Sequence, residues 1–299
     1  MSTLTAAAPA ARRTSAPPAR AGRPRRVAAL PTLALLLGAL YCLLPVAWVA
    51  VAATKSGADL FATFTFAPGT AFGDNLADLS GYRDGLYWRW LANTALYAGG
   101  GGLLSAAVSG LTGYTLAKFR FSGRTVMFNI MLAGVLVPQI TLAIPQYLLL
   151  ARVGLTDTYW AVLLPSIISP YGIYLARIFA AAAVPDTIIE AARADGAGEL
   201  RIVRTIAMPM MMPGLVTIFL FQFVAIWNNF LLPFIMLSDD RKFPVTVGLY
   251  TLLNQGASQP SLYTHVIMGS LLSIIPLILL FLYLQRYWRA DLLAGAVKA

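Results

Sequence analysis

The sequence predicts an all-α integral membrane protein with six transmembrane helices, and three observations carry that reading. Hydrophobic residues make up 59% of the 299-residue chain and charged residues only 11%, whereas soluble domains are roughly a quarter charged. Mean hydropathy is correspondingly high, at +0.72. The apolar residues gather into windows long enough to cross a bilayer, which takes ~20 residues of helix. Those windows are continuous, unlike the short alternating strands of an outer-membrane barrel.

Taken in order, the expected spans run over 27–53, 90–117, 125–151, 159–183, 208–237 and 265–287. Prolines interrupt several of them, at Pro45, Pro138, Pro145, Pro165, Pro213, Pro233 and Pro276. Membranes tolerate such breaks where neighbouring helices or a water-filled cavity satisfy the freed carbonyls. The Gly99–Gly102 run inside the second span predicts close helix packing. It is not a phosphate-binding loop, and the chain contains no G-x-x-x-x-G-K-[ST] sequence that would cradle a nucleotide.

Basic residues set the orientation. Arg12, Arg13, Arg20, Arg23, Arg25, Arg26, Lys118, Arg120, Arg124, Arg177, Arg193, Arg201, Arg204, Arg286, Arg289 and Lys298 fall on the side of the amino terminus. The other six of the 22, Lys55, Arg83, Arg89, Arg152, Arg241 and Lys242, fall opposite. Positive charge marks the cytoplasm, so both termini are expected there. Residues 1–26, rich in Ala, Arg, Pro and Ser, read as a disordered basic cytoplasmic tail rather than a cleaved signal. The remainder, 27–299, reads as the transmembrane domain, with an ordered external cap at 54–89 containing Asp59, Asp74, Asp78 and Asp84. The net charge of +10 reflects this topology and not nucleic-acid binding.

Composition also bounds the chemistry. Cys42 is the one cysteine and His265 the one histidine, so no disulfide framework or metal cluster is expected. An intramembrane enzyme would want paired carboxylates or a nucleophile with a base. An ion-driven transporter would usually place a carboxylate or basic group inside a span, and the six spans as drawn contain no Asp or Glu.

One segment does not fit its surroundings. Between apolar runs lies EAARADGAGELRIVRTIAMP, from Glu190 to Pro209. Thr187 and Glu190 have the spacing of a capping box, and Gly196 is placed to end the first helix in a left-handed conformation. A second helix follows Gly198. Ile188, Ile189 and Ala192, then Ile202, Val203 and Ile206, form apolar stripes. A helix lying on lipid would share this pattern, yet two helices joined by a glycine turn suit a plug presented to a partner's groove. Glu190 can serve as cap, as partner contact, or as both.

The same segment resembles the signature of permeases from binding-protein-dependent ABC importers: E-A-A, three residues, G, nine residues, I-x-L-P. Here Glu190, Ala191, Ala192, Gly196, Ile206 and Pro209 match, and Met208 replaces leucine, a volume-conserving change. Further stretches are similar to carbohydrate permeases of the maltose type, the MalG-like family. They are GYTLAKFRF (113–121), GLTDTYWA (154–161), WNNFLLP (227–233) and AGAVKA (294–299), the last departing from the family at Ala299.

That resemblance implies the six-helix architecture of type I ABC importer permeases, with a cytoplasmic two-helix coupling loop at 184–209. It implies a transport subunit of a sugar or oligosaccharide importer in the bacterial inner membrane. The partners implied are a sister permease, two copies of a cytoplasmic ATPase and an extracytoplasmic solute-binding protein. ATP and Mg would be bound by the ATPase, and no cofactor by this chain. Glu190, Ala191, Ala192, Asp195, Gly196, Ile206 and Pro209 are the expected ATPase-coupling residues. For the translocation pathway, polar and aromatic residues within spans are the candidates: Gln139, Gln146, Tyr147, Gln222, Trp227, Asn228 and Asn229. Helix–helix hydrogen bonding would use the same residue types. An ABC permease for another small solute is the alternative.

Overall fold

The computed structural model describes residues 29–296, apart from the side chains of residue 286 and of residues 288–296. The expected basic tail and the last three residues of AGAVKA lie outside the described residues. The chain divides into two units, residues 1–45 and 46–299. Helix α1 (Ala29–Ala52) begins in the first unit and ends in the second.

Among the described residues all regular structure is helical. After α1 come two short helices within residues 54–89, α2 (Asp59–Ala62) and α3 (Phe72–Gly81), then the long α4 (Leu86–Lys118). The third expected span is broken into α5 (Arg124–Val135) and α6 (Gln139–Arg152), bent by 105°. The fourth is broken into α7 (Tyr159–Ile167) and α8 (Pro170–Ala183), bent by 40°. Helix α9 (Asp186–Ala194) precedes α10 (Glu199–Trp227), and α11 (Leu231–Met236), α12 (Val245–Gly256) and α13 (Leu262–Ala296) complete the chain.

The breaks have local causes. Pro138 stands at the N-cap of α6 with an extended backbone; it has no N–H to continue a ladder and disfavours helix at the residue before it. Ser169 caps α8, its Oγ accepting from Gly172 N at 3.1 Å, with Pro170 as the first helical residue, where a missing N–H costs nothing.

Three differences from the expected spans follow. The second loop helix and the fifth span are one helix, α10, which the sequence reading separated at Pro209. A π-helical turn at Val203–Ala207 precedes that proline, and the wider turn makes room for its ring. The fifth span also ends early, at Trp227, with residues 228–230 between α10 and α11. Helix α12 was not expected at all.

By length and composition α1, α10 and the Leu262–Gln285 part of α13 can each cross a membrane, and the two bent pairs bring the number to five. Helix α4 is long enough at 33 residues, yet glycine, serine, threonine and asparagine replace much of its aliphatic content. Its position explains this. Helices α7, α8 and α10 pack along it, and it buries Trp90, Asn93, Tyr97, Ser105, Ser109 and Tyr114. Lipid supplies little hydrophobic drive between helices, so close packing by small residues does more there. A methyl at Gly113 would lie 2.5 Å from Ala176 Cβ, and one at Gly101 2.9 Å from Ile226 Cδ1. Of the Gly99–Gly102 run, Gly101 and Gly102 make such approaches; Gly99 has nothing within 4 Å and Gly100 only an ordinary contact at 3.9 Å.

Two apolar clusters are strung along α4. One surrounds Tyr87, Trp90 and Tyr97, with Trp227, Met236, Val245 and Met268. The other surrounds Tyr114, with Ala176, Ile189, Ile202, Met211 and Ile218. At the first end, the 238–243 loop is pinned from several sides. Trp90 Nε1 donates to Asp240 O at 2.8 Å, Asn93 Nδ2 to Arg241 O at 2.9 Å, and Tyr97 OH to Lys242 O at 3.0 Å. The Asp157 carboxylate accepts from Ser238 N and Asp239 N, each at 3.0 Å, and from Lys242 Nζ at 3.0 Å. Burial opposes ionisation of Asp157, but those two amides and the ammonium outweigh it and hold its pKa below the ordinary value.

Candidate functional site

The charged segment forms a helix pair whose turn is built as expected. Gly196 has φ +79°. Its N–H bonds to Arg193 O at 3.0 Å, and Ala197 N–H to Ala192 O at 2.9 Å. These two bonds are those of a Schellman motif, which satisfies the last carbonyls of α9. The start of α9 differs from expectation. The N-cap is Pro185, without a side-chain cap, and Thr187 already lies within the helix, so Thr187 and Glu190 do not form a capping box. Pro185 and Asp186 begin the helix too early for Thr187 to stand at its cap. Glu190 is exposed.

The apolar stripe turns inward. Ile189 is 3% exposed and Ile202 fully buried, both in the Tyr114 cluster, while Ile206 is half-buried. Three polar contacts fix the pair. Lys118 Nζ meets Asp186 Oδ1 at 2.7 Å. Arg193 holds Glu199 with Nε on Oε1 at 2.6 Å and Nη2 on Oε2 at 3.2 Å. The Arg193 guanidinium also lies 5.9 Å from the Phe119 ring centre. The hydrogen bond and charge of Lys118 lower the Asp186 pKa, and Arg193 does the same to Glu199. What remains outward is a surface of Glu190, Ala191, Ala194, Asp195, Gly196 and Leu200, the last 82% exposed. Small residues and two carboxylates therefore crown a rigid knob. Pro209 is exposed further along α10.

Four of the seven candidate pathway residues come together. Gln139, Gln146, Gln222 and Asn229 line one cavity of about 270 Å³. Three interruptions meet there: Pro138 before α6, Ser169 before α8, and residues 228–230 before α11. Gln222 Nε2 donates to Ser166 O at 3.1 Å, and so partners a polar backbone group beside the α7–α8 break. Among the described residues no charged side chain lines the cavity. Ser166, Ser169 and Tyr171 also line it and were missed by the sequence reading; the Pro165-Ser166 and Ser169-Pro170 steps are the signals that mark them.

The other three are elsewhere. Trp227 is 3% exposed, stacked on Phe223 at 5.4 Å, and belongs to the packed core. It also borders, with Asn228, a separate cavity of about 430 Å³ beside α12 and α13. Asn228 Nδ2 turns back to Val224 O at 2.8 Å, as a side chain ending a helix does. Tyr147 is 38% exposed and lines neither cavity.

Residues 109–291 match the family described as "Binding-protein-dependent transport system inner membrane component". The chain belongs to that family. Within this permease family it is 34% identical to the arabinooligosaccharides transport system permease protein AraQ of Halalkalibacterium halodurans, over 79% of this chain and 83% of that one. It is 31% identical to the lactose transport system permease protein LacG of Rhizobium radiobacter, over 88% and 94%. It is 27% identical to the sn-glycerol-3-phosphate transport system permease protein UgpE of Rhizobium meliloti, over 86% and 92%. Among solved structures, it resembles a chain of a bacterial ABC transporter involved in the import of the acidic polysaccharide alginate. That match has a TM-score of 0.76 and 26% identity, covering 87% of this chain and 95% of the other. The chain is a multi-pass inner-membrane permease of the ABC importer type, and the carbohydrate permeases are its relatives.

Proposed function

We propose that this permease carries a neutral sugar or oligosaccharide into the cell, driven by a separate ATPase that docks on the α9–α10 pair. The observation that supports it best is the uncharged amide-lined cavity at three helix breaks. Glutamine and asparagine side chains present donors and acceptors together, the chemistry that a polyhydroxy solute matches. In membrane transporters, discontinuous helices commonly form the solute site. An anionic solute such as a glycerol phosphate would want a basic group, and among the described residues none lines the cavity.

The α9–α10 pair is the coupling element in this reading, with the exposed small residues entering a groove of the ATPase and Glu190 and Asp195 meeting basic groups there. A sister permease completes the pathway, and a solute-binding protein delivers the sugar on the face opposite the pair. The pair and both termini are cytoplasmic by their positive charge.

The test is uptake into proteoliposomes containing the whole complex with its ATPase and solute-binding protein. ATP-dependent accumulation of a neutral oligosaccharide is expected, with Gln222→Ala and Gln146→Ala raising KM or lowering the rate. Uptake that proceeds without ATP, or that accepts glycerol phosphate and no neutral sugar, would overturn the reading.

A further inference from the structure

We propose that the cavity bounded by Trp48, Leu60, Phe61, Lys55, Tyr263 and Val266 binds one anionic phospholipid, its phosphate on Lys55 and an acyl chain against the apolar wall. The cavity holds about 650 Å³, within the range of small-molecule sites. It lies at the end of the molecule where Tyr87 OH bonds Gly269 O at 2.9 Å, remote from Lys118 and the α9–α10 pair.

Lys55 is the deciding residue. It is 2% exposed, and lysine is almost never fully buried unless paired. Its Nζ donates to Phe64 O at 2.7 Å, one bond for an ammonium with three donors. Among the described residues no carboxylate lies within ion-pair distance of it. Burying a cation without a counter-charge is costly, so an anion-seeking group stands on the lining of a chamber whose other side chains are apolar apart from hydroxyls.

The position of Lys55 is built rather than accidental. Asn75 Nδ2 donates to Ala53 O at 2.9 Å and to Lys55 O at 2.8 Å. Gly69 N donates to Thr54 Oγ1 and Ala71 N to Thr54 O, both at 2.8 Å. The backbone on either side of the lysine is therefore clamped to residues 69–75. Trp48 and Tyr263 are of the residue types that gather where a bilayer meets water.

One ligand chemistry satisfies both halves of the chamber. A neutral sugar would leave the ammonium without its counter-charge, and a free phosphate would leave the aromatic and aliphatic wall unused. An amphiphile with a negative head uses both, and anionic lipids of the surrounding membrane are such molecules. Thr63, Thr65 and Ser270, also on the lining, add hydroxyls that can donate to phosphate oxygens.

The experiment is native mass spectrometry of the assembled complex in detergent, titrated with phosphatidylglycerol or phosphatidylcholine. The wild-type complex is expected to keep one phosphatidylglycerol per copy of this chain after others are stripped. Lys55→Met should weaken that retention by about tenfold, a change of ~1.4 kcal/mol. Lys55→Arg should keep it. Thr63→Trp, which fills the chamber from its exposed rim and leaves the lysine in place, should displace the lipid even if Lys55→Met fails to assemble. Unchanged retention in Lys55→Met or in Thr63→Trp overturns the proposal. So does equal retention of the two lipids by the wild type, or a carbodiimide cross-link joining Lys55 to a carboxylate of the sister permease.

Discussion

Arg193 grips Glu199 through two hydrogen bonds across the Gly196 turn, Nε to Oε1 at 2.6 Å and Nη2 to Oε2 at 3.2 Å. The last turn of α9 is thereby tied to the first residue of α10. Planar guanidinium and carboxylate match in two-point contact, which fixes direction as well as distance.

Breaking this pair should loosen the knob without unfolding the chain, because both side chains are about half exposed and such pairs add little to stability. Arg193→Ala and Glu199→Ala are each expected to lower uptake while ATP hydrolysis by the complex continues. The double exchange Arg193→Glu with Glu199→Arg should restore part of the uptake. Uptake and hydrolysis measured side by side in proteoliposomes check this; equal loss of both in every variant would contradict it.

Gly196 separates conformation from space. No atom lies within 4 Å of where its Cβ would be, yet its φ is +79°. A side chain there meets only backbone strain, about 1–2 kcal/mol in the left-handed region. Gly196→Asn should therefore transport better than Gly196→Val, since asparagine tolerates that region and a β-branched residue does not. Initial uptake rates rank the two, and a better valine variant would contradict the turn's role.

Gly113 is the opposite case. A methyl there would meet Ala176 Cβ at 2.5 Å and Arg177 N at 2.6 Å, and α4 and α8 would have to separate. Gly113→Ala is expected to cost ~1–3 kcal/mol, the usual range for overpacking. A lowered thermal midpoint of the complex in detergent reads this out, with Gly99→Ala, which meets nothing within 4 Å, as the neutral control.

Asp157 gives the pH dependence a sign. Its pKa is lowered in the folded chain, so its contribution is complete above the ordinary aspartate value of about 3.9 and is lost as pH falls through the lower folded value. Amide exchange at Ser238 and Asp239, corrected for intrinsic rate, should stay protected from neutral pH down to about 3.9 and open below it. Asp157→Asn, which keeps a residue suited to its φ of +55°, should open the loop at neutral pH and admit trypsin after Arg241. Unchanged cleavage in that variant would contradict the clamp.

What the sequence made legible follows from how local each cause is. The Gly196 turn needs only one residue's backbone freedom, and it was readable. Of the expected proline breaks, Pro138 stands at one, while Pro45, Pro145, Pro165 and Pro276 lie inside continuous helices whose neighbouring turns carry the ladder past them. The amides Gln139, Gln146, Gln222 and Asn229 were readable because they have no cheap place in lipid. Trp227 is ambiguous from sequence because the same aromatic can line a path or fill a core; in the structure it stacks on Phe223 and also borders the cavity beside α12 and α13. The capping box failed because Pro185 and Asp186 started the helix first, a competition that spacing alone does not reveal. Helix α12 was missed because VTVGLYTLLNQG is too short to span and mixes β-branched residues with glycine. Its identity as a helix depends on burying Val245, Val247 and Leu252 beside α4 and α13. Lys55 looked like one of six outward charges, and nothing in its sequence neighbours announces that Asn75 folds over it.

Helix α10 makes the knob and the cavity parts of one stiff body. It is 29 residues long, about 43 Å at ~1.5 Å per residue, with Glu199 at one tip and Gln222 near the other. No flexible linker lies between them to soak up a displacement. A tilt of the tip held by Arg193 thus swings Gln222 against the carbonyl of Ser166 in the same stroke. The regular ladder along the shaft is interrupted at the wide turn Val203–Ala207 and at Met211, so stiffening or slackening those turns should set how much of each stroke is delivered.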